Sequence, residues 1–136
     1  DFMVKVIDVY PEKFEYSKTA RSYLKSDYPM SGYQLMIRGE LFRGRFRKGF
    51  DNSLPFKPEE ITPVNYTLYD VAHTFLPGHR LMIQIQSSWF PIIGRNPQRF
   101  IDTYHCTVED FVMKQKIKIY HQQGAASRVI LPVVKK

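Results

Sequence analysis

Apolar residues recur at every second position in several short stretches of this chain, the period of a strand with distinct faces. In the first, Phe2, Val4 and Val6 point one way while Met3, Ile7 and Val9 point the other. Only Lys5 and Asp8 interrupt, so the pattern predicts a strand from Phe2 to Tyr10 with both faces largely covered. Pro11 ends it. A second strand is predicted over Tyr33 to Leu41, with Leu35, Ile37 and Leu41 on one face and Gly39 where another backbone comes close. Val64, Tyr66 and Leu68 alternate with Asn65 and Thr67 and predict a third. After the Pro77-Gly78 turn signal, Leu81, Ile83 and Ile85 alternate with Met82, Gln84 and Gln86. That strand runs on to Trp89-Phe90 and stops at Pro91, which has no N–H for a ladder.

Two more strands are predicted toward the end. Val112 to His121 alternates Ile117 and Ile119 with Lys116 and Lys118, leaving one face solvated. Gly124 turns the chain, and Arg128 to Val134 forms a final strand, at an edge because Pro132 lies in it. Glu12 to Ser31 reads as a long polar surface loop with one helical turn around Thr19 to Leu24. Ser53 to Pro63, with Pro55, Pro58 and Pro63, is another loop. No stretch holds a helical period over three turns. Many short strands between Pro and Gly turns predict an all-β sandwich or barrel, here as one domain over residues 1–136.

Composition refines this only slightly. Hydrophobic residues make up 43% of the 136, enough for a packed core. No apolar run reaches the roughly 18 residues of a membrane helix, and no signal peptide opens the chain. The chain begins at Asp1, almost inside a strand, and reads as a piece of a longer polypeptide. A formal charge of +7 permits attraction to anionic partners but leaves the fold open. Cys106 is the single cysteine, so neither an internal disulfide nor a cysteine metal cluster can form; it reads as a small apolar residue.

Candidate chemistry is sparse. A serine nucleophile needs a tight strand-to-helix turn and a histidine base. No G-x-S-x-G spacing is present, and Ser87-Ser88 sits at a strand end. His73, His79, His105 and His121 are scattered without ligand spacing, so no metal, cofactor or catalytic residue is assigned. The segment Arg38 to Phe50 interleaves Arg43, Arg45, Arg47 and Lys48 with Phe42, Phe46 and Phe50, a composition open to nucleic acid. The simpler expectation is a strand with Phe42 and Phe46 in the core and a solvated basic face. Trp89 and Phe90 beside Asn96 and Gln98 could equally stack on a sugar, the second alternative.

Several motifs carry a family resemblance. Gly78-His79-Arg80, Gln84 to Pro91 and Arg95-Asn96-Pro97-Gln98 resemble the GHR…QxQSSxFP…RNPQ signature of the C-terminal sandwich in the family of cocaine esterases, α-amino-acid ester hydrolases and X-Pro dipeptidyl-peptidases. Phe2 to Pro11 and Gly32 to Arg47 resemble that family's DVYP strand and its GYQ…RGE…RGRFR segment, as in α-amino-acid ester hydrolases and glutaryl acylases. Ile119 to His121 and Ser127 to Val134 resemble its last two strands. Gly94 departs from the acidic residue usual before Arg-Asn-Pro.

The resemblance implies a jelly-roll, galactose-binding-like sandwich, incomplete because upstream strands are missing. It also implies a non-catalytic domain of a secreted or periplasmic serine hydrolase, partnered by an α/β-hydrolase domain of the same polypeptide. An aromatic pair with an arginine nearby has the composition of an interface anchor. Trp89, Phe90, Arg95 and Asn96 are therefore the candidate interface, toward the catalytic domain or another copy of the chain; Trp89 buried in its own core is the competing expectation.

Overall fold

The computed structural model describes residues 1–15, 30–111, 114 and 116–134. The helical turn expected around Thr19 to Leu24 lies outside them, as do Val112, Met113 and Gln115 of the expected strand there. The described fold is all-β. Three strands form one antiparallel sheet: β1 (Phe2–Val9), β2 (Gln34–Phe42) and β3 (Arg80–Gln86), in the order β2-β1-β3. Two short 3-10 turns, Gly44–Phe46 and Val108–Asp110, are the described helical elements.

The strand with the longest two-sided apolar pattern takes the centre. β1 pairs with β2 on one side and β3 on the other, and Met3, Ile7 and Val9 are the buried hydrophobic core. The β1–β3 register is regular from Met3↔Gln86 to Val9↔Arg80. The β1–β2 register shifts between Val6 and Ile7, where Val6 faces Arg38 but Ile7 faces Met36. Ile37 is thus the extra residue of a bulge, which reverses the faces beyond it. Leu35, opposite Asp8, and Leu41, opposite Met3, therefore lie on opposite faces, not on the shared face that strict alternation predicts. On the regular side of the bulge, Arg38, Glu40 and Phe42 share the face of Val6, Val4 and Phe2.

Gly39 is a close-packed site, but the atoms nearest it are side chains and not the expected backbone. A Cβ there would stand 2.7 Å from Met3 Cε, 3.1 Å from Met36 Sδ and 3.4 Å from the Trp89 ring. The close approach is between side chains folded over the strand.

Val64 to Leu68 does not join a ladder. Its alternate residues are still half-buried, Val64, Tyr66 and Leu68 inward and Asn65 and Thr67 exposed. Tyr66 stacks on Phe42, with centroids 4.8 Å apart and planes 7° from parallel. Lys116 to Val134 also lacks strand pairing; a turn joins its two limbs through Ala125 N–H to Gln122 O and Ser127 N–H to Tyr120 O. In both places the period is that of a strand, but no strand ladder forms among the described residues.

Candidate interface site

The most enclosed polar group is Asp8, with 1% of its surface exposed on the central strand. A carboxylate so buried needs partners. His73 Nε2–H donates to Oδ2 at 2.9 Å, and His79 Nδ1–H donates to Oδ1 at 2.8 Å. His79 is aimed by the turn before β3: His79 N–H closes onto Leu76 O at 3.1 Å around Pro77-Gly78. Gly78 has φ +83°, which suits the third position of a type II turn and explains the Pro-Gly pair. The His79 ring also lies 4.4 Å from that of Tyr10. Asp8 thereby ties β1 both to the start of β3 and to the segment carrying His73.

Nothing in the spacing of the histidines, taken singly, points to this cluster. The available signal was an acid inside an apolar strand, FMVKVIDVYP, with a histidine at the head of another strand. Their engagement also bears on catalysis, because His79, with a side chain only 3% exposed, is spent on Asp8 and not turned to Ser88. Among the described residues no group of three or more His, Cys, Asp or Glu is arranged to hold a metal ion. Cys106 is half-buried, its thiol donating to Thr103 O at 3.2 Å.

The basic segment is not a solvated strand face. β2 ends at Phe42, and the chain turns through Gly44–Phe46. A Cβ on Gly44 would fall 2.6 Å from the Phe56 ring and 2.8 Å from Phe2, so only glycine fits the corner. The arginines then bond main-chain carbonyls. Arg38 donates to Tyr69 O and Asp70 O, at 3.0 and 2.7 Å. Arg45 donates to Ile101 O at 2.9 Å. Arg47 holds Gly44 O, Leu54 O and Pro55 O and stacks over Phe56 at 4.3 Å. Loops without a ladder need donors for their carbonyls, and a guanidinium fork supplies several at once. Arg38, Arg45 and Arg47 thus satisfy main-chain carbonyls instead of facing solvent from a strand.

The four candidate interface residues occupy one loop, residues 87–111, but different environments. Trp89 is half-buried, folded back over Gly39 with Lys5 Nζ 4.9 Å above its ring. Phe90 is 65% exposed beside a cis Phe90–Pro91 peptide, and Ile92 next to it is 69% exposed. Arg95 lies 5.0 Å over the ring of Phe111. Asn96 Oδ1 accepts from Gln98 N–H at 2.7 Å, and Gln98 Nε2–H reaches Ser87 O at 3.2 Å.

Farther along the loop, Arg99 pairs with Asp110 at 3.2 Å, and Thr107 with Asp110 forms a capping box. Asp102 accepts from His105 and from Tyr104 N–H, which hold its carboxyl below the ordinary aspartate range. Polar bonds fix the loop's path while Phe90, Ile92, Phe100, Tyr104 and Val108 face outward.

The described residues form an all-β module with an exposed apolar surface on the loop 87–111. Over residues 1–130 the chain matches the X-Pro dipeptidyl-peptidase C-terminal non-catalytic domain, and it belongs to that family. It is 25% identical to the cocaine esterase of Rhodococcus sp. (strain MB1 Bresler) over 136 residues, all of this chain and 20% of that protein. An aminopeptidase from the marine sediment archaeon Thaumarchaeota archaeon shares 38% identity at a TM-score of 0.67, over 81% of this chain and 16% of that one. An α-amino acid ester hydrolase shares 36% at a TM-score of 0.68, over 82% and 17%. The chain therefore spans a fifth or less of the length of these relatives.

Proposed function

We propose that this domain packs on the catalytic α/β-hydrolase domain of its own polypeptide and supports the pocket or the assembly there. In this reading it does no chemistry itself, and its strands belong to a jelly-roll sandwich. One observation carries the reading: the loop 87–111 is bonded to itself yet presents five large apolar side chains outward. Phe90, Ile92, Phe100, Tyr104 and Val108 range from 49% to 94% exposed. An ordered polar framework under an apolar surface is the anatomy of an interface. The relatives are named as hydrolases, and most of each lies beyond the stretch matched here, which leaves room for such a partner. Three of the cations behind the nucleic-acid alternative, Arg38, Arg45 and Arg47, are engaged with carbonyls, which weakens it.

The test uses the full polypeptide. Phe90→Ser with Ile92→Ser should lower its thermal midpoint and its turnover of amino-acid esters, while the 136-residue chain alone melts unchanged. Full activity and an unchanged midpoint in the double variant would refute the packing role.

A further inference from the structure

The end of β2 and the chain from Tyr66 to Asp70 flank a hollow of about 460 Å³. That is the size of a small-molecule site. Its walls are all described residues. β2 supplies Glu40 and Phe42, which share a face. The facing segment supplies Tyr66, Tyr69 and Asp70, and Phe50 comes from the chain beyond the Gly44–Phe46 turn.

Two kinds of group meet here. The first is aromatic. Phe42 and Tyr66, stacked 4.8 Å apart, make a flat apolar wall. Phe50 and Tyr69 are 89% and 74% exposed, so their rings contribute little to the fold's own packing. The second is negative charge. Arg38 is the cation beside the carboxylates of Glu40 and Asp70. Its Nη1 stands 3.7 Å from Glu40, while Nε and Nη2 are spent on Tyr69 O and Asp70 O. No ion pair to the Asp70 carboxylate is present among the described residues. Two carboxylates against one guanidinium leave a local negative charge, on a chain whose formal charge is +7. Burial, and then the charge of Glu40, push the Tyr66 phenol up to about 12, so that carboxylate is felt at the aromatic wall.

Rings and carboxylates select the same ligand. An aromatic ring offers a negative face to a cation, and a methylated ammonium ion loses little hydration in reaching it. An anion would meet both carboxylates. An uncharged apolar ligand would strip water from them and give nothing back. We infer that this hollow binds a small organic cation, a quaternary or alkylated ammonium ion, with Phe50 and Tyr69 against its methyl groups and Glu40 and Asp70 supplying the opposite charge. The site lies off the loop 87–111 and uses neither Phe90 nor Ile92, so it can fail while the proposed packing on a hydrolase domain stands, and the reverse.

Choline is the probe. Its control is the uncharged carbon isostere, in which a tert-butyl group replaces the trimethylammonium. Both are titrated into the full polypeptide and followed by calorimetry or saturation-transfer NMR. Choline should bind, and the isostere should bind roughly tenfold more weakly or worse. Added salt should weaken choline and leave the isostere unchanged.

Two double variants place the site. Phe50→Ala/Tyr69→Ala removes two exposed rings, and Glu40→Gln/Asp70→Asn keeps the shape while removing the charge. Each should weaken choline roughly tenfold. Phe50→Ser or Tyr69→Ser alone should act in the same direction, and Phe90→Ser/Ile92→Ser should not act at all. If the carboxylate variant unfolds, the ring variant still decides, because its side chains already meet water. Equal binding of choline and its isostere, choline binding that survives the ring variant, or no choline binding at millimolar concentration overturns the inference.

Discussion

The sheet and the C-terminal arm are written in the same pattern and end differently. β3 alternates Leu81, Ile83 and Ile85 with Met82, Gln84 and Gln86; the arm alternates Ile117 and Ile119 with Lys116 and Lys118. β3 lies in a ladder with β1, while the arm from Lys116 to Val134 is joined to itself only at its turn and leaves Ile130, Val133 and Val134 at least 80% exposed. Periodicity decides which residues would share a face. It does not supply the neighbour that satisfies the backbone. Among the described residues, what β3 has and the arm lacks is a partner with a buried anchor: Asp8 on β1 reaches His79 at the head of β3.

Removing that anchor should have the largest effect. Asp8→Ala leaves the buried His79 and the partly exposed His73 without their acceptor, and should cost about 3–5 kcal/mol. Asp8→Asn keeps the shape and one acceptor oxygen, so its loss should be smaller. Urea unfolding of both variants checks the order. A loss under about 1 kcal/mol for Asp8→Ala would mean that the sheet does not depend on the clasp. The corner after β2 comes next. Gly44→Ala drives a methyl into the rings of Phe56 and Phe2, at 2.6 to 2.8 Å, and should cost about 1–3 kcal/mol. An unchanged unfolding midpoint would show that Phe56 swings away freely.

Much of this fold was readable from residues alone, and the failures have common causes. The three strands of the sheet and the Pro77-Gly78 turn follow from local pattern and turn chemistry. The family was legible because its motifs sit at the strand ends and turns, where residue identity is most constrained. Three features were not legible. The bulge at Ile37 depends on pairing with β1, and alternation within β2 cannot reveal it. The pairing of Asp8 with two histidines joins positions 65 and 71 residues apart. The role of the arginines depends on carbonyls in loops that no period describes. Of the candidate interface residues, Phe90 is outward, whereas Trp89 lies against its own sheet.

Tyr66 sharpens the comparison at a smaller scale, because its segment is half-way between the two regions, inward-facing but unpaired. Its hydroxyl is buried with no hydrogen-bond partner among the described residues. Tyr66→Phe removes the orphan and should stabilise the domain by about 1 kcal/mol. Burial, and then the charge of Glu40, push the phenol up to about 12 from 10.0. A group raised in the folded state contributes fully below its unfolded pKa and loses that contribution as pH rises through the folded value. Wild-type stability should thus fall between pH 10 and 12 by more than that of Tyr66→Phe. Parallel alkaline curves for the two proteins would mean that the ring is not held against Phe42 in solution.

The smallest expected effect is the one that could break the comparison outright. Ile130 is 82% exposed and Val133 80%, so each already meets water in the folded chain. Replacing such a side chain removes almost no buried area, and surface changes away from caps and pairs stay within about 0.5 kcal/mol. Ile130→Ser and Val133→Ser should therefore leave the urea midpoint of the 136-residue chain where it is, while proteases cut the arm before the sheet. A loss near 2 kcal/mol for either would require a buried apolar contact, since nothing else at those positions is large enough. The arm would then be a paired strand in solution. The same substitutions in the longer polypeptide ask a second question, because a strand that gains a neighbour there should become sensitive to them. Sensitivity only in the longer chain would place the arm's missing partner outside these 136 residues.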